Sequence, residues 1–424
     1  MVKKERINRR KFLKVGVSAF IAWAVIVTGF GFPFIVGAAN VKLKDPIKIA
    51  GQAINTGPQG MNGLFMQEGA RLAIDEINAK GGILGSKIEF AFRDEENRSD
   101  ITVKNARYFV NTWGADFIIG GETSGTCLAL GEIMPELNRI LIVYHGSTNR
   151  LNEDLVYKRN FKQIFRVSLP LYHDAIGGAF LVNDWGLKRY GAIIPDYEYG
   201  HVCWKLFKKT LKTLQPDAEF VAETFAKMGT VDYSSHIMKV MAAKPEVFMT
   251  FEWGGGLVAL IKQANLYGVN KNVKAWMSPM AAQMDSLISL GREYPEGIWG
   301  SNRYWFLYPD TAKNKDFVSK YYTRYNKYPS QGSENAYTAI YMIKQGVERA
   351  KSLEIDQLIK AMEGMELDRP AGPCYIRKED HQAIFSVPWG QITQDPKYPM
   401  PILTNLKVYP AEKIFPKPPF PPID

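Results

Sequence analysis

Apolar and polar positions along this chain follow two alternating rhythms. IKIAGQA (47–53) alternates at a period of two and predicts a strand. GLFMQEGARLAIDEINAKGG (63–82) follows with Leu64, Leu72, Ala73 and Ile77 at helical spacing and stops at Gly81-Gly82, which predicts a helix. The rhythm repeats through strands over 87–94, 115–121 and 140–146, with a helix over 101–114 and another between the last two strands. A second series starts near Arg166. It predicts helices over 171–186, 199–214, 233–243 and 257–268, interleaved with strands over 190–196, 218–224, 246–251 and 273–279. Helices return over 316–328 and 333–351, and a β-rich ending starts at about Gly372. The last stretch, PAEKIFPKPPFPPID (410–424), is proline-rich and is predicted to lack regular structure. Strands separated by helices imply parallel sheets covered on both faces. Two similar series imply an α/β chain folded as two sandwiched lobes.

In open α/β sheets, ligands sit beyond the carboxyl ends of the strands. The residues to weigh are therefore Asn55–Asn62, Gly121–Thr126, His145–Asn149, Asp196–Tyr199, Phe251–Gly256 and Ser278–Gln283. A ligand gripped by all of them would lie in a cleft between the lobes. GGETSGTCLALGEIMPEL (120–137) is the most suggestive. It offers a glycine corner, the hydroxyls of Thr123, Ser124 and Thr126, and then a helix start. Backbone N–H groups and hydroxyls at such a corner suit an anion. A plain structural alternative is that Ser124 only caps the helix.

Composition changes this picture little. The chain has 424 residues, 46% of them hydrophobic, which is ample for a core. The formal net charge is +10, but residues 1–38 hold seven lysines and arginines against Glu5, so only +4 remains for the rest. That is too mild to argue for nucleic acid. The basic excess belongs to a predicted export signal at 1–38: NRRKFLK, an apolar run from Val15 to Val36, then Gly37-Ala38-Ala39. Arg9-Arg10-x-Phe12-Leu13-Lys14 resembles the twin-arginine motif. Cleaved export is favoured over a retained membrane anchor because Thr28, Gly29, Gly31 and Pro33 weaken the run as a membrane helix. Cys127, Cys203 and Cys374 fit neither a zinc site nor a redox pair and are expected as small buried hydrophobes, although one disulfide remains open.

At this point the residues resemble a family. EGARLAIDEINAKGGILGSKIEFAFRDEENRSD (68–100), GPQGMNG (57–63), GGETSGTCLA (120–129), PDYEYG (195–200), MTFEWGGGLVALIKQA (249–264) and PAGPCYIRKEDHQA (370–383) are similar to the type I periplasmic solute-binding proteins of the leucine/isoleucine/valine-binding group. The resemblance spans roughly residues 45–395. It implies two Rossmann-like lobes joined by three crossings near Phe165, Asn302 and Pro370. Lobe 1 would hold 45–165 and 303–370, and lobe 2 would hold 166–302 and 371–409. It implies a ligand carboxylate held by Ser124 and Ser147, with backbone groups from Gly146. His145 lies beside them, Trp253 falls at a pocket aromatic, and Asp196, Tyr197 and Tyr199 lie on the loop that closes over the ligand. The chain departs from the amino-acid binders at Met280, where they place an acid for the ligand ammonium, and at Asn62, where an aromatic is common. An aromatic pocket without an ammonium acceptor suits a non-amino carboxylic acid, unless Glu252, Asp196 or Asp285 supplies the acid from elsewhere. The implied partners are the membrane permease subunits of an ABC importer, and a monomer is expected.

An enzyme is not expected. The five histidines form no HExxH or cysteine cluster, no GxSxG elbow appears, and GxGxxG is absent after the first strand. No metal or cofactor is implied. His145 beside Ser147 is the one pair that hints at nucleophilic chemistry, and their strand-end placement accounts for it as ligand contact or packing. The other alternative is a membrane-tethered sensor of the same fold, reporting ligand occupancy to a separate signalling partner.

Overall fold

The computed structural model describes residues 43–420, so the expected export signal lies outside the described residues. Runs such as Phe117-Ile118-Ile119 can be buried on both faces only inside a covered sheet, and that is where they sit. β1 (Ile47–Ala53), β2 (Ile88–Asp94), β3 (Phe117–Gly120), β4 (Ile140–Val143) and β5 (Ile164–Arg166) form a five-stranded sheet in the order β2-β1-β3-β4-β5. Every pairing in it is parallel. Phe117, Ile119, Ile140 and Ile142 face one apolar core, while Ile118, Leu141 and Val143 face another. That alternation is the strand period expressed as packing.

β6 (Arg189–Pro195), β7 (Glu219–Ala226), β8 (Val247–Thr250), β9 (Ala275–Ser278) and β10 (Trp299–Ser301) follow in the second lobe. The small strands β11 (Glu366–Leu367), β12 (Cys374–Ile376) and β13 (Ala383–Ile384) pair among themselves. The last two, β14 (Pro388–Thr393) and β15 (Ile402–Val408), complete a seven-stranded sheet in the order β15-β14-β10-β9-β8-β6-β7. β14 and β15 run antiparallel on its edge. From β7 to β10 the order repeats that of the first sheet. Each sheet thus reverses direction between its first and third strands, and such a switch point opens a crevice. The two crevices are β1/β3 and β6/β8.

The predicted strands and helices recur within a few residues. The helix 101–114 is Ser99–Tyr108 continued by a wider turn over Phe109–Trp113, and 171–186 is likewise split at Gly177/Gly178. β10 has only three residues, too few for a pattern to show. Residues 366–384 form the small third sheet rather than joining the second one. The tail differs from expectation too: Ala411–Ile414 is a helical turn, with Ile414 and Phe415 buried and the Pro416 carbonyl accepting from Arg377 Nη1 at 2.8 Å. Two apolar side chains among the prolines suffice to anchor it. All three cysteines are free and buried.

Two long helices, Gly60–Ala79 and Gln331–Ala350, pack against each other, and the first of them also against the first sheet. Gly69 makes this possible: a Cβ there would lie 2.0 Å from the Ser333 carbonyl oxygen. Buried arginines join the segments where the crossings between lobes are expected. Arg369 pairs with Glu334 and donates to the Val167 carbonyl at 2.7 Å, and Arg166 donates to Gln382 Oε1 at 2.6 Å.

Candidate ligand site

The strand ends of both sheets converge on one narrow pocket. Ser124, His145 and Ser147 line it from the first lobe, and Tyr197, Tyr199, Trp253 and Met280 from the second. Seven of the ten residues expected from the sequence therefore meet there. Glu122, Thr123, Gln283 and Arg303 complete the lining.

Local structure explains each position. Thr123, with extended backbone, is the N-cap of the helix Ser124–Glu132, and its hydroxyl and that of Thr126 form a reciprocal capping box. Ser124 is thus the first helical residue and not the cap, so its hydroxyl is spared for the pocket. His145 and Ser147 follow β4. His145 is buried, and desolvation together with the Arg303 charge pushes its imidazole down to about 3, so it is neutral. Trp253 donates from Nε1 to the Tyr197 hydroxyl at 2.9 Å, closing the β6/β8 crevice, and its ring lies 6.1 Å from that of His145 across the pocket. The Gln283 side-chain Oε1 accepts from the Gly254 amide at 2.9 Å and fixes the start of the helix Gly254–Leu266.

Arg303 is the residue that sequence reasoning missed. It lies just beyond β10, buried to 4% exposure. It donates from Nη2 to Asp174 Oδ2 at 2.5 Å and to Ser147 Oγ at 3.1 Å, and from Nη1 to the His145 carbonyl at 3.3 Å. Its Nε has no partner. Burial alone would lower the guanidinium's pKa, but the Asp174 charge more than offsets that and keeps Arg303 charged. Tyr199 donates to the same Asp174 oxygen at 3.0 Å. The signal for Arg303 was its place after a strand, but a three-residue strand leaves no readable pattern.

Three expected residues sit elsewhere. Asp196 points outward and pairs with His201 at 2.8 Å, its side chain 39% exposed. Gly146 has its amide committed to the Gly121 carbonyl at 3.0 Å, and its own carbonyl accepts from Arg166 and Ser168. It offers closeness instead: a Cβ there would lie 1.9 Å from Cys127 Sγ. Asn62 is buried behind the lining, beside Glu122.

The acids considered as substitutes for Met280 also lie outside the lining. Glu252 is held near Tyr233 and is pushed up to about 8 by burial, and Asp285 is pushed up to about 6 by burial while accepting from the Ser286 amide. Glu122 is the acid that does line the pocket. Among the described residues no cluster of three His, Cys, Asp or Glu is placed to hold a metal.

The whole arrangement is a polar floor of arginine, serines and a helix start, facing an aromatic wall. Such a lining offers hydrogen-bond donors on one side and apolar surface on the other.

Comparison with known proteins places this geometry. Residues 46–397 match the family model described as periplasmic binding protein. The leucine-, isoleucine-, valine-, threonine-, and alanine-binding protein of Pseudomonas aeruginosa is 23% identical over 332 residues, covering 77% of this chain and 85% of that one. An ABC-transporter solute-binding protein from R. palustris, solved in complex with 4-hydroxybenzoate, superposes with a TM-score of 0.78 at 19% identity, covering 86% of this chain and 97% of that one. A branched-chain amino acid transporter protein from Rhodopseudomonas palustris gives 0.71 at 24% identity, covering 87% and 98%. The chain belongs to the type I periplasmic binding proteins of the leucine/isoleucine/valine-binding family.

Proposed function

We propose that this protein is the extracytoplasmic solute-binding component of an ABC importer, and that its ligand is a small carboxylate, preferably one without an ammonium group. The observation that carries the reading is Arg303: a buried, charged guanidinium on the pocket lining with its Nε unpartnered, beside the hydroxyls of Ser147 and Ser124. A carboxylate has about four lone-pair sites to fill. A guanidinium N–H, two hydroxyls and a helix N-terminus supply matching donors. Tyr197, Tyr199, Trp253 and Met280 offer the ligand body an apolar surface. An ammonium group would face Met280 where the family's amino-acid binders place an acid. Its desolvation would go uncompensated there. The relatives named above support the class, since one binds amino acids by name and one was solved with an aromatic acid.

The partners in this reading are the membrane permease subunits of the importer, met by a monomer after export. Binding, not catalysis, is the role. A thermal-shift screen of amino acids beside their deaminated analogues tests the ligand class, because a bound ligand raises the midpoint through RT ln(1 + [L]/Kd). Benzoates, or the keto acids matching leucine and phenylalanine, are expected to stabilise the protein more than the amino acids do. Stabilisation by leucine or phenylalanine with none from the matching acids would overturn the preference for a non-amino acid. No response to any carboxylate would remove the class itself.

A further inference from the structure

Glu122 is an acid in a pocket read here as an anion site, and its surroundings say in what form. It follows β3 at the β1/β3 switch point and is 3% exposed. Its Oε2 accepts from the Ile54 amide at 2.8 Å and from the Tyr144 hydroxyl at 3.1 Å. Its Oε1 is buried and has no partner. Behind it, beyond the end of β2, Glu95 is fully buried, with Oε1 accepting from the Thr126 hydroxyl at 3.0 Å and Oε2 unpartnered. The groups that act on Glu122 are Glu95, the Ile54 amide, Tyr144 and Asn62, with the Cys127 thiol on the adjoining helix. None of these is a cation. Arg303 and the neutral His145 share the pocket lining, and Arg303 is already matched by Asp174. Two desolvated carboxyls side by side without a cation cannot both ionise. With Oε2 saturated by two donors, the retained proton belongs on Oε1.

We propose that Glu122 serves the pocket as a neutral carboxylic acid, donating from Oε1 to the ligand's carboxylate, so that binding of the acid is linked to a proton. This rests on the carboxylate reading above and extends it by naming a ligand-contacting residue and its protonation state. An O–H···O⁻ hydrogen bond is among the stronger kinds. It also explains how an anion site tolerates an acid on its wall. The bond O–H stays on Glu122 throughout, and no proton leaves the protein on binding.

The sign follows from linkage. The bound anion makes Glu122 harder to ionise than it is in the empty pocket, so affinity is full at low pH. It falls about tenfold per pH unit once the empty-pocket Glu122 ionises. Burial, and then repulsion from Glu95, hold that ionisation well above the usual carboxylate range. Glu95, itself pushed up to about 7 by burial, gains charge near neutrality and delays Glu122 further. The decline therefore belongs on the alkaline side.

The test is calorimetric titration with benzoate, which stays ionised throughout, from about pH 6 to about pH 10 in paired buffers of different ionisation heat. The wild-type protein is expected to lose affinity toward the alkaline end and to take up protons on binding there. Glu122→Gln keeps an N–H donor and cannot titrate, so its profile is expected to be flat over the same range. Glu122→Leu is expected to bind about 10- to 100-fold more weakly at neutral pH. A wild-type affinity and proton count that do not change with pH would overturn the inference and leave the carboxylate reading standing. Proton release with leucine, together with tighter binding of leucine than benzoate, would overturn it in favour of an ionised Glu122 receiving an ammonium. If neither benzoate nor the wider screen yields a carboxylate ligand at any pH, the underlying reading fails and this inference with it. The wild-type titrations decide the matter even if the variants do not fold.

Discussion

At the scale of single residues, Thr123 and Ser124 separate two roles that the sequence alone leaves merged. Thr123 caps the helix Ser124–Glu132, and Ser124 stands one place later on the pocket lining. Thr123→Ala is therefore expected to lower stability by about 1 kcal/mol, the usual cost of a lost cap. Ser124→Ala is expected to leave the thermal midpoint nearly unchanged and to weaken carboxylate binding by about 1.5–3 kcal/mol, the range for a hydrogen bond to a charged group. Paired melting curves and titrations read both quantities, and wild-type affinity in Ser124→Ala would return that residue to a purely structural part. The distinction was not legible because a one-residue shift in helix start reassigns the cap. Glu122 was legible as a position, since it lies within the glycine corner. Its chemistry was not, because it depends on Glu95, 27 residues away in sequence and adjacent only in the fold. Asp174 was invisible for the same reason, and Arg303 because the three-residue β10 leaves no readable pattern.

At the scale of elements, the strand ends were the readable feature. Long runs such as Arg189–Pro195 announce where a strand stops, and so Tyr197 and Trp253 could be placed on the site before any geometry was known. Side-chain direction was not readable, which is why Asp196, next to Tyr197, points to solvent instead. The same loop carries a contact across the cleft. Glu198, in the first turn of the helix Glu198–Leu214, accepts from the buried Thr148 hydroxyl at 2.5 Å and from Arg150 Nη1 at 3.3 Å. The Arg150 side chain is 59% exposed, so that ion pair contributes little. The Thr148 bond, between the loop after β4 and the loop after β6, holds the lobes together beside the pocket. Glu198→Ala is expected to speed ligand release by about three- to tenfold, with a smaller effect on the association rate, since such contacts form after encounter. Stopped-flow displacement measures this, and an unchanged dissociation rate would show that the pocket itself holds the lobes shut.

At the scale of the whole molecule, the described state is closed. Pro58 approaches Gly255, and Gln59 approaches Gly254, so the loop after β1 touches the helix after β8. With Thr148 against Glu198 on another side, His145, Tyr199 and Trp253 are each less than a tenth exposed. Ligand entry is therefore expected to need movement of the lobes. Each lobe has its own covered sheet, and cores of this kind move as rigid bodies because close-packed interiors do not deform gradually. The compliance is expected at the three crossings near Phe165, Asn302 and Pro370. The buried Arg369–Glu334 pair and the Arg369 bond to the Val167 carbonyl bind two of these crossings together, which favours one common hinge over independent flexing. Small-angle scattering with and without a bound carboxylate checks this. The ligand-free protein is expected to have the larger radius of gyration, and saturation with ligand should compact it. An unchanged radius, with binding proven independently, would mean that the crossings are stiff. Entry would then fall to the Asp196–Tyr199 loop alone, and Glu198→Ala should in that case speed association as much as dissociation.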